Sequence, residues 1–249
     1  LYPIFTDAIS NNKISVGPPF YNSVIIPVVV IFLFFMAIGP NAKWIKNKFI
    51  DIKIYSLITL AAIFFNFIIF FFFKSYSIIS NLIVISSLFL ILSSIMDLFK
   101  KKNFNFPRVI SHLSFGFLIL FIGLNHNFSI EIDFNLKIGE TKQIDNFKFH
   151  LKDLKLVQDT NYKAVIGSLK VNDLLTEEER VLKPEIRIYD NPQTLTYEAS
   201  IQTNFIRDYY LTMSNIDRSD YYNIKFQKKP LMIWIWMSVV MLSLGGFLS

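Results

Sequence analysis

An α-helical polytopic membrane protein with an inserted antiparallel β extracytoplasmic domain is the fold class that three observations predict. The chain carries several apolar runs long enough to cross a bilayer. Its basic residues cluster in alternate connections between those runs. One long polar stretch alternates apolar and polar side chains with period two. The composition agrees: of 249 residues, 53% are hydrophobic and 27 are Phe, with a mean hydropathy of +0.42. The net charge of +6 is unevenly placed, with 10 Lys/Arg against 3 Asp/Glu in residues 1–126 and 15 against 16 in residues 127–249. The positive excess therefore belongs to the membrane half, which excludes reading it as a nucleic-acid footprint. There is no cysteine, so the chain forms no disulfide and offers no thiol; thiol chemistry would have to come from a partner.

Taken in order, residues 1–126 form an outer loop followed by four transmembrane helices, at about 23–38, 54–73, 78–96 and 109–124. The opening stretch has no basic segment leading into an apolar core, so it is not a signal peptide. A polytopic chain that opens on Leu1 reads as the downstream piece of something longer. Pro27 falls in the first turns of the first span, where a missing N–H costs little. A fifth span is expected near the C-terminus, at about 231–248, so residues 230–249 form the final transmembrane helix. The connection at 41–53 carries Lys43, Lys46, Lys48 and Lys53, and that at 97–108 carries Lys100, Lys101, Lys102 and Arg108. Both belong on the inner side. This places the short 74–77 loop and residues 127–229 outside, and the C-terminus on the cytoplasmic or matrix side.

Residues 127–229 read as a periplasmic or intermembrane-space β domain. In 128–138, Phe128, Ile130, Ile132, Phe134, Leu136 and Ile138 face one way and polar residues the other, the mark of a half-buried strand. A Gly-Glu turn follows. Further short strands are expected at 147–151, 162–171, 185–189, 194–203, 209–214 and 222–226, separated by Asn, Asp, Gly and Pro signals. Residues 174–180 read as a helical turn or a solvated acidic loop. The sum is a sandwich or a partly open barrel with its own core.

Chemistry-bearing residues are few. Two of the three histidines, His112 and His126, bracket the fourth span; His150, between Phe149 and Leu151, falls on the polar face of a strand and reads as solvated. His112 lies about one turn into a helix that Pro107 opens. It reads either as an interfacial histidine bonded to a carbonyl, or as a haem-iron ligand or proton carrier. His126 is 14 residues on, close to four turns, so the two share a face about 21 Å apart. Arg108 is four residues before His112. Its charge fits haem propionates, and equally fits ordinary positive-inside topology. Glycine-rich phosphate loops, serine-histidine-aspartate arrangements and HExxH are absent from the sequence, and no paired intramembrane acids or broken helices suggest a transporter.

A resemblance sharpens these alternatives. Leu1-Tyr2-Pro3, the stretch Lys13 to Asn22 (KISVGPPFYN) and Gly39-Pro40 resemble the opening of the second half of the CcmF/NrfE/CycK family of cytochrome c-type biogenesis proteins. In the β region, Pro184-Glu185-Ile186-Arg187-Ile188-Tyr189, Tyr197-Glu198-Ala199 and Asp208-Tyr209-Tyr210 resemble the family's Pro-Glu-x-Arg-x-Tyr, Thr-Glu-Ala and Asp-Leu-Tyr elements, with Tyr197 and Tyr209 as departures. The last span is similar too. The resemblance implies the C-terminal part of a membrane haem lyase for cytochrome c maturation, in an inner membrane; a bacterial one is favoured over a mitochondrial one. It implies haem b among the spans, held by His112 and by a histidine outside this chain, and thought to reduce the incoming iron. Arg108 is then placed for the haem propionates. It implies as partners the N-terminal half of the lyase, a periplasmic haem chaperone, and apocytochrome c with its thiol-handling and holding subunits, besides membrane lipid. His126 and His150 match no ligand position. The family's tryptophan-rich haem-handling motif lies upstream of the matched region, and the three Trp here are Trp44, Trp234 and Trp236. The chain alone is therefore not expected to be an active enzyme. The alternative is a non-enzymatic membrane scaffold whose β domain docks periplasmic partners.

Overall fold

The computed structural model describes residues 18–42, 52–73, 77–99, 105–216 and 219–248. The Leu-Tyr-Pro element, the lysines at 43, 46, 48 and 100–102, and most of the 74–77 loop lie outside them. The chain divides into two compact units, one of residues 1–127 with 235–249 and one of residues 128–234.

The first unit is helical. Helices α1 (Pro18–Ile38), α2 (Ile52–Phe73), α3 (Ile78–Leu98) and α4 (Phe106–Phe128) are each long and apolar enough to span a bilayer. The last, α5 (Met232–Phe247), is apolar but has 16 residues, about 24 Å at 1.5 Å per residue, shorter than the expected span. Helix α3 is the most enclosed of the four: half of its residues are buried, and α1 and α2 both pack on it. Helices in lipid gain little from apolar burial, so close packing and hydrogen bonds between them matter more. Here Asn66 of α2 donates to Asn81 of α3 at 2.7 Å, and Ser93 of α3 donates to the Ala37 carbonyl of α1 at 3.1 Å.

The second unit is a β-sandwich. One sheet has the order β1 (Ile130–Leu136), β10 (Tyr222–Pro230), β9 (Arg207–Asn215), β8 (Ser200–Thr203). The other runs β2 (Thr141–Ile144), β3 (Phe147–Gln158), β4 (Tyr162–Asp173), β6 (Glu185–Asp190), β7 (Gln193–Glu198). The remaining strand, β5 (Glu178–Leu182), pairs with the half of β4 that β6 leaves open. All pairings are antiparallel. Phe134, Phe147, Phe149 and Phe226 interlock at the centre with Leu151, Leu169, Leu211 and Ile224. The Gly139-Glu140 turn uses a positive φ at Gly139 (+80°), which glycine adopts without steric cost.

Several expectations change. The strand expected at 194–203 is two, β7 and β8, which lie in different sheets, and β2 is an additional strand. The sandwich excludes the open-barrel alternative. Residues 178–180, read as loop or helical turn, enter β5, because a β-hairpin with β4 gives their backbone groups partners. The alternation of β1 ends at Leu136, so Ile138 projects from the turn and is exposed. A bulge after Leu151 shifts the inward phase of β3 by one residue, from Phe147, Phe149 and Leu151 to Leu154.

A buried ion pair and a buried lone carboxylate mark this core. Lys228 of β10 donates to Asp173 of β4 at 2.8 Å, with Arg207 4.0 Å from the same oxygen. Burial alone would raise the Asp173 carboxyl, but hydrogen bonds from Lys228 and the Leu175 N–H outweigh it and hold the group below its ordinary value. Asp208, also buried, has no cation against it and one oxygen without a partner among the described residues; burial pushes its carboxyl up.

Candidate functional site

Helix α4 carries both span histidines. Its start is capped by Asn105, whose Oδ1 accepts from the Arg108 N–H at 3.1 Å, and Pro107 sits in the first turn where its missing N–H is harmless. The helix therefore begins one residue before the Pro107 start that the sequence predicts, and three before the expected span. His112 lies at its seventh position, half-buried. No hydrogen bond reaches either ring nitrogen from the described residues. Among the described residues, Arg108 and Asp97 are the charged groups near enough to act on the ring.

Gly116 and Gly123 share the His112 face of α4 to within about 40°, given 100° per residue. A Cβ at Gly116 would fall 2.7 Å from Ile91, and one at Gly123 2.8 Å from Ile83, both on α3. The histidine-bearing face is thus the one pressed against α3. On another side of α4, Ser111 meets Gly245 of α5 so closely that a Cβ there would strike the serine hydroxyl and come 2.9 Å from its backbone nitrogen.

The end of the bundle at the close of α3 is tied by side chains the sequence did not connect. Asn41 donates to Tyr55 Oη at 2.8 Å and to Asp97 at 3.4 Å, joining the turn after α1 to α2 and α3. Asp97 is buried. The only hint in the sequence was an acid at a span end.

His126 stands at the other end of α4. With Ile119, Ile122 and Gly123 it lines a mainly apolar cavity of about 320 Å³, closed by Ile83 of α3 and Val29 of α1. Fourteen residues of helix separate it from His112, about 21 Å, so the two cannot ligate one iron. His150 belongs to the β unit, where its Nδ1 lies 2.9 Å from Thr141 Oγ1 and 3.1 Å from the Glu140 carbonyl. Among the described residues, no three His, Asp or Glu side chains gather as a bare-metal site. Iron already held in a porphyrin needs only axial ligands. The donor set fits that case in part: one unbonded imidazole, with a guanidinium one turn away.

A family model, the CcmF C-terminal beta-sandwich, matches residues 127–230. The whole chain is 24% identical to the cytochrome c-type biogenesis protein CcmF of Escherichia coli K12, 24% to that of Pseudomonas fluorescens and 22% to CycK of Bradyrhizobium diazoefficiens. In each case all of this chain is covered, and 40% of the relative. A solved structure of the cytochrome c haem lyase CcmF superposes with a TM-score of 0.73 at 17% identity, over 99% of this chain and 41% of that one. At that identity the superposition shows the shared fold. The chain spans about two fifths of the length of the relatives it matches.

Proposed function

We propose, for a chain that belongs to the CcmF family of cytochrome c-type biogenesis proteins and corresponds to the C-terminal part of its members, that it supplies half of a membrane haem lyase. In this reading His112 would hold a haem b in the membrane through its imidazole, and a histidine of the N-terminal half would supply the second protein ligand. The observation that carries it is the half-buried His112 ring, unbonded among the described residues and one helical turn from Arg108.

Each residue has a distinct task. A neutral imidazole without a competing hydrogen bond keeps a nitrogen lone pair available to iron. Arg108 lies one turn before His112 and would pair with propionate carboxylates through charge-assisted hydrogen bonds. The Gly116 and Gly123 contacts hold α4 flush on α3, so the His112 backbone is fixed in depth and rotation. The Asn41–Tyr55–Asp97 link keeps the inner ends of three helices together. A haem bound there supplies a one-electron couple whose potential is set by its ligands and by exclusion of water.

The multi-pass unit sits in a bacterial inner membrane in this proposal, with the β-sandwich on the periplasmic side and α5 as a fifth span leading back to the cytoplasm. The upstream half, a haem chaperone and apocytochrome c with its holding subunits are the partners.

The test is a reduced-minus-oxidised optical spectrum of the chain purified with the upstream half of a matching lyase. The wild type should give a b-type spectrum, and His112→Ala should lose most of it. An unchanged spectrum in the variant would remove His112 as the ligand. No haem in a confirmed wild-type complex would favour a scaffold that docks partners without a cofactor.

A further inference from the structure

The turn between β8 and β9 is built to present two apolar side chains. Asn204 Oδ1 accepts from the N–H groups of Ile206 (2.9 Å) and Arg207 (2.8 Å), and the Asn204 N–H donates back to the Arg207 carbonyl at 3.1 Å. This closes the turn tightly and forces the intervening side chains outward. Turn tips are normally polar or glycine; here they are Phe205 and Ile206, 71% and 61% exposed.

The same turn is fastened to the point where β10 gives way to α5. The Leu231 N–H donates to the Ile206 carbonyl at 2.8 Å, and the Trp234 indole N–H donates to the Phe205 carbonyl at 2.8 Å. Leu231, the single residue between strand and helix, has φ +62°, a left-handed conformation that a leucine rarely adopts. The turn therefore supports a strained junction, and it does so with an aromatic side chain from the first turn of an apolar helix. A Trp with an apolar body and a satisfied N–H suits the membrane–water boundary.

We propose that the Phe205–Ile206 turn is an interfacial anchor: its two side chains sit in the headgroup–acyl boundary at the depth of Trp234 and tie this end of the β-sandwich to the lipid surface. Lipid is the occupant because the turn is bonded to the residues that begin an apolar helix, which fixes it beside the place where the chain meets the bilayer. Its rigidity sets the depth of the anchor, and the short turn leaves no slack for it to retreat.

The absence of cysteine allows single labels in an otherwise unreactive chain. The full chain would be placed in nanodiscs of phosphatidylcholine and phosphatidylglycerol with a nitroxide at Phe205→Cys, at Val239→Cys within α5, or at Leu175→Cys, an exposed apolar site on the β4–β5 turn. Accessibility to oxygen and to a water-soluble nickel chelate would be read at each. The expected result is oxygen in excess of nickel at positions 205 and 239, with the reverse at 175. Nickel excess at 205 with oxygen excess at 239 overturns the anchor alone. Nickel excess at both overturns it together with the reading of α5 as a span. Protection from both reagents at 205 shows a protein contact in place of lipid, and also overturns it. The haem reading is untouched by any of these outcomes.

Discussion

In the helical unit Phe35, Phe64, Phe67 and Phe71 stand 59–71% exposed, whereas in the β unit Phe134, Phe147, Phe149 and Phe226 are at most 6% exposed. These rings face outward in one unit and inward in the other because the two units answer to different solvents. Lipid tails receive an aromatic ring as readily as a neighbouring helix does, so apolar bulk there can face out and small or polar groups meet inside. Water does not, so the sandwich must enclose its rings. Polar groups follow the same division. Buried serines of α3 such as Ser87 and Ser94 bond to carbonyls of their own helix, at 2.9 and 2.8 Å. The sandwich instead buries an ion pair, Asp173 with Lys228.

The contrast is broken most severely at its aromatic centre. Phe149→Ala should destabilise the sandwich by about 3–5 kcal/mol, while Phe67→Ala on the outward face of α2 should change stability by no more than about 0.5 kcal/mol. Thermal melts of the purified chain in detergent, followed through the strand signal and the helix signal separately, would check both. Equal losses would mean that the outward face of α2 is packed against protein.

The ion pair comes next. Lys228→Met leaves Asp173 buried with its backbone bonds from Leu175 and Thr176 and a distant Arg207, at a cost of about 3 kcal/mol at neutral pH. Because the folded Asp173 carboxyl is held low, its contribution is present above the unfolded carboxylate pKa of about 3.9 and is lost as pH falls through the lower folded value. The difference between wild type and variant should therefore shrink on acidification, which a pH series of melts would show. A gap that stays constant into acid would count against the pair.

Asp208 should give the smallest effect and the opposite sign. Its folded carboxyl is raised by burial, so its ionisation opposes folding above the unfolded value. Asp208→Asn should gain about 1 kcal/mol at neutral pH and nothing in strong acid. Loss of stability at neutral pH would show that the Thr203 and Tyr210 hydroxyls outweigh the cost of burying the carboxylate.

Much of this was legible in the sequence because solvent writes period into it. Four long apolar helices and most strands coincide with the apolar runs and alternating stretches, because such patterns leave few alternatives. β5 was missed because Glu178 to Arg180 is an acidic run with no inward apolar residue before Leu182, and its strand character comes only from pairing with β4. The extension of β3 beyond Leu151 was missed because a bulge breaks the alternation there. For the candidate site, the shared face of His112, His126 and Arg108 follows from helical spacing. The link from Asn41 to Tyr55 and Asp97 joins residues up to 56 positions apart, and no local pattern announces it.

The two connections between the units have a mechanical consequence. Helix α4 runs into β1 with one residue between, α5 leaves β10 with one residue between, and β1 and β10 are antiparallel neighbours paired from Ile130–Lys228 onward. Both helices thus pull on the same end of one ladder. A force that spreads their attached ends would peel that ladder bond by bond, and peeling resists far less than shear. Within the helical unit, Ser111 of α4 meets Gly245 of α5, so the two helices are also tied to each other. Load carried by either helix therefore reaches the sandwich through a single residue, Ser129 or Leu231.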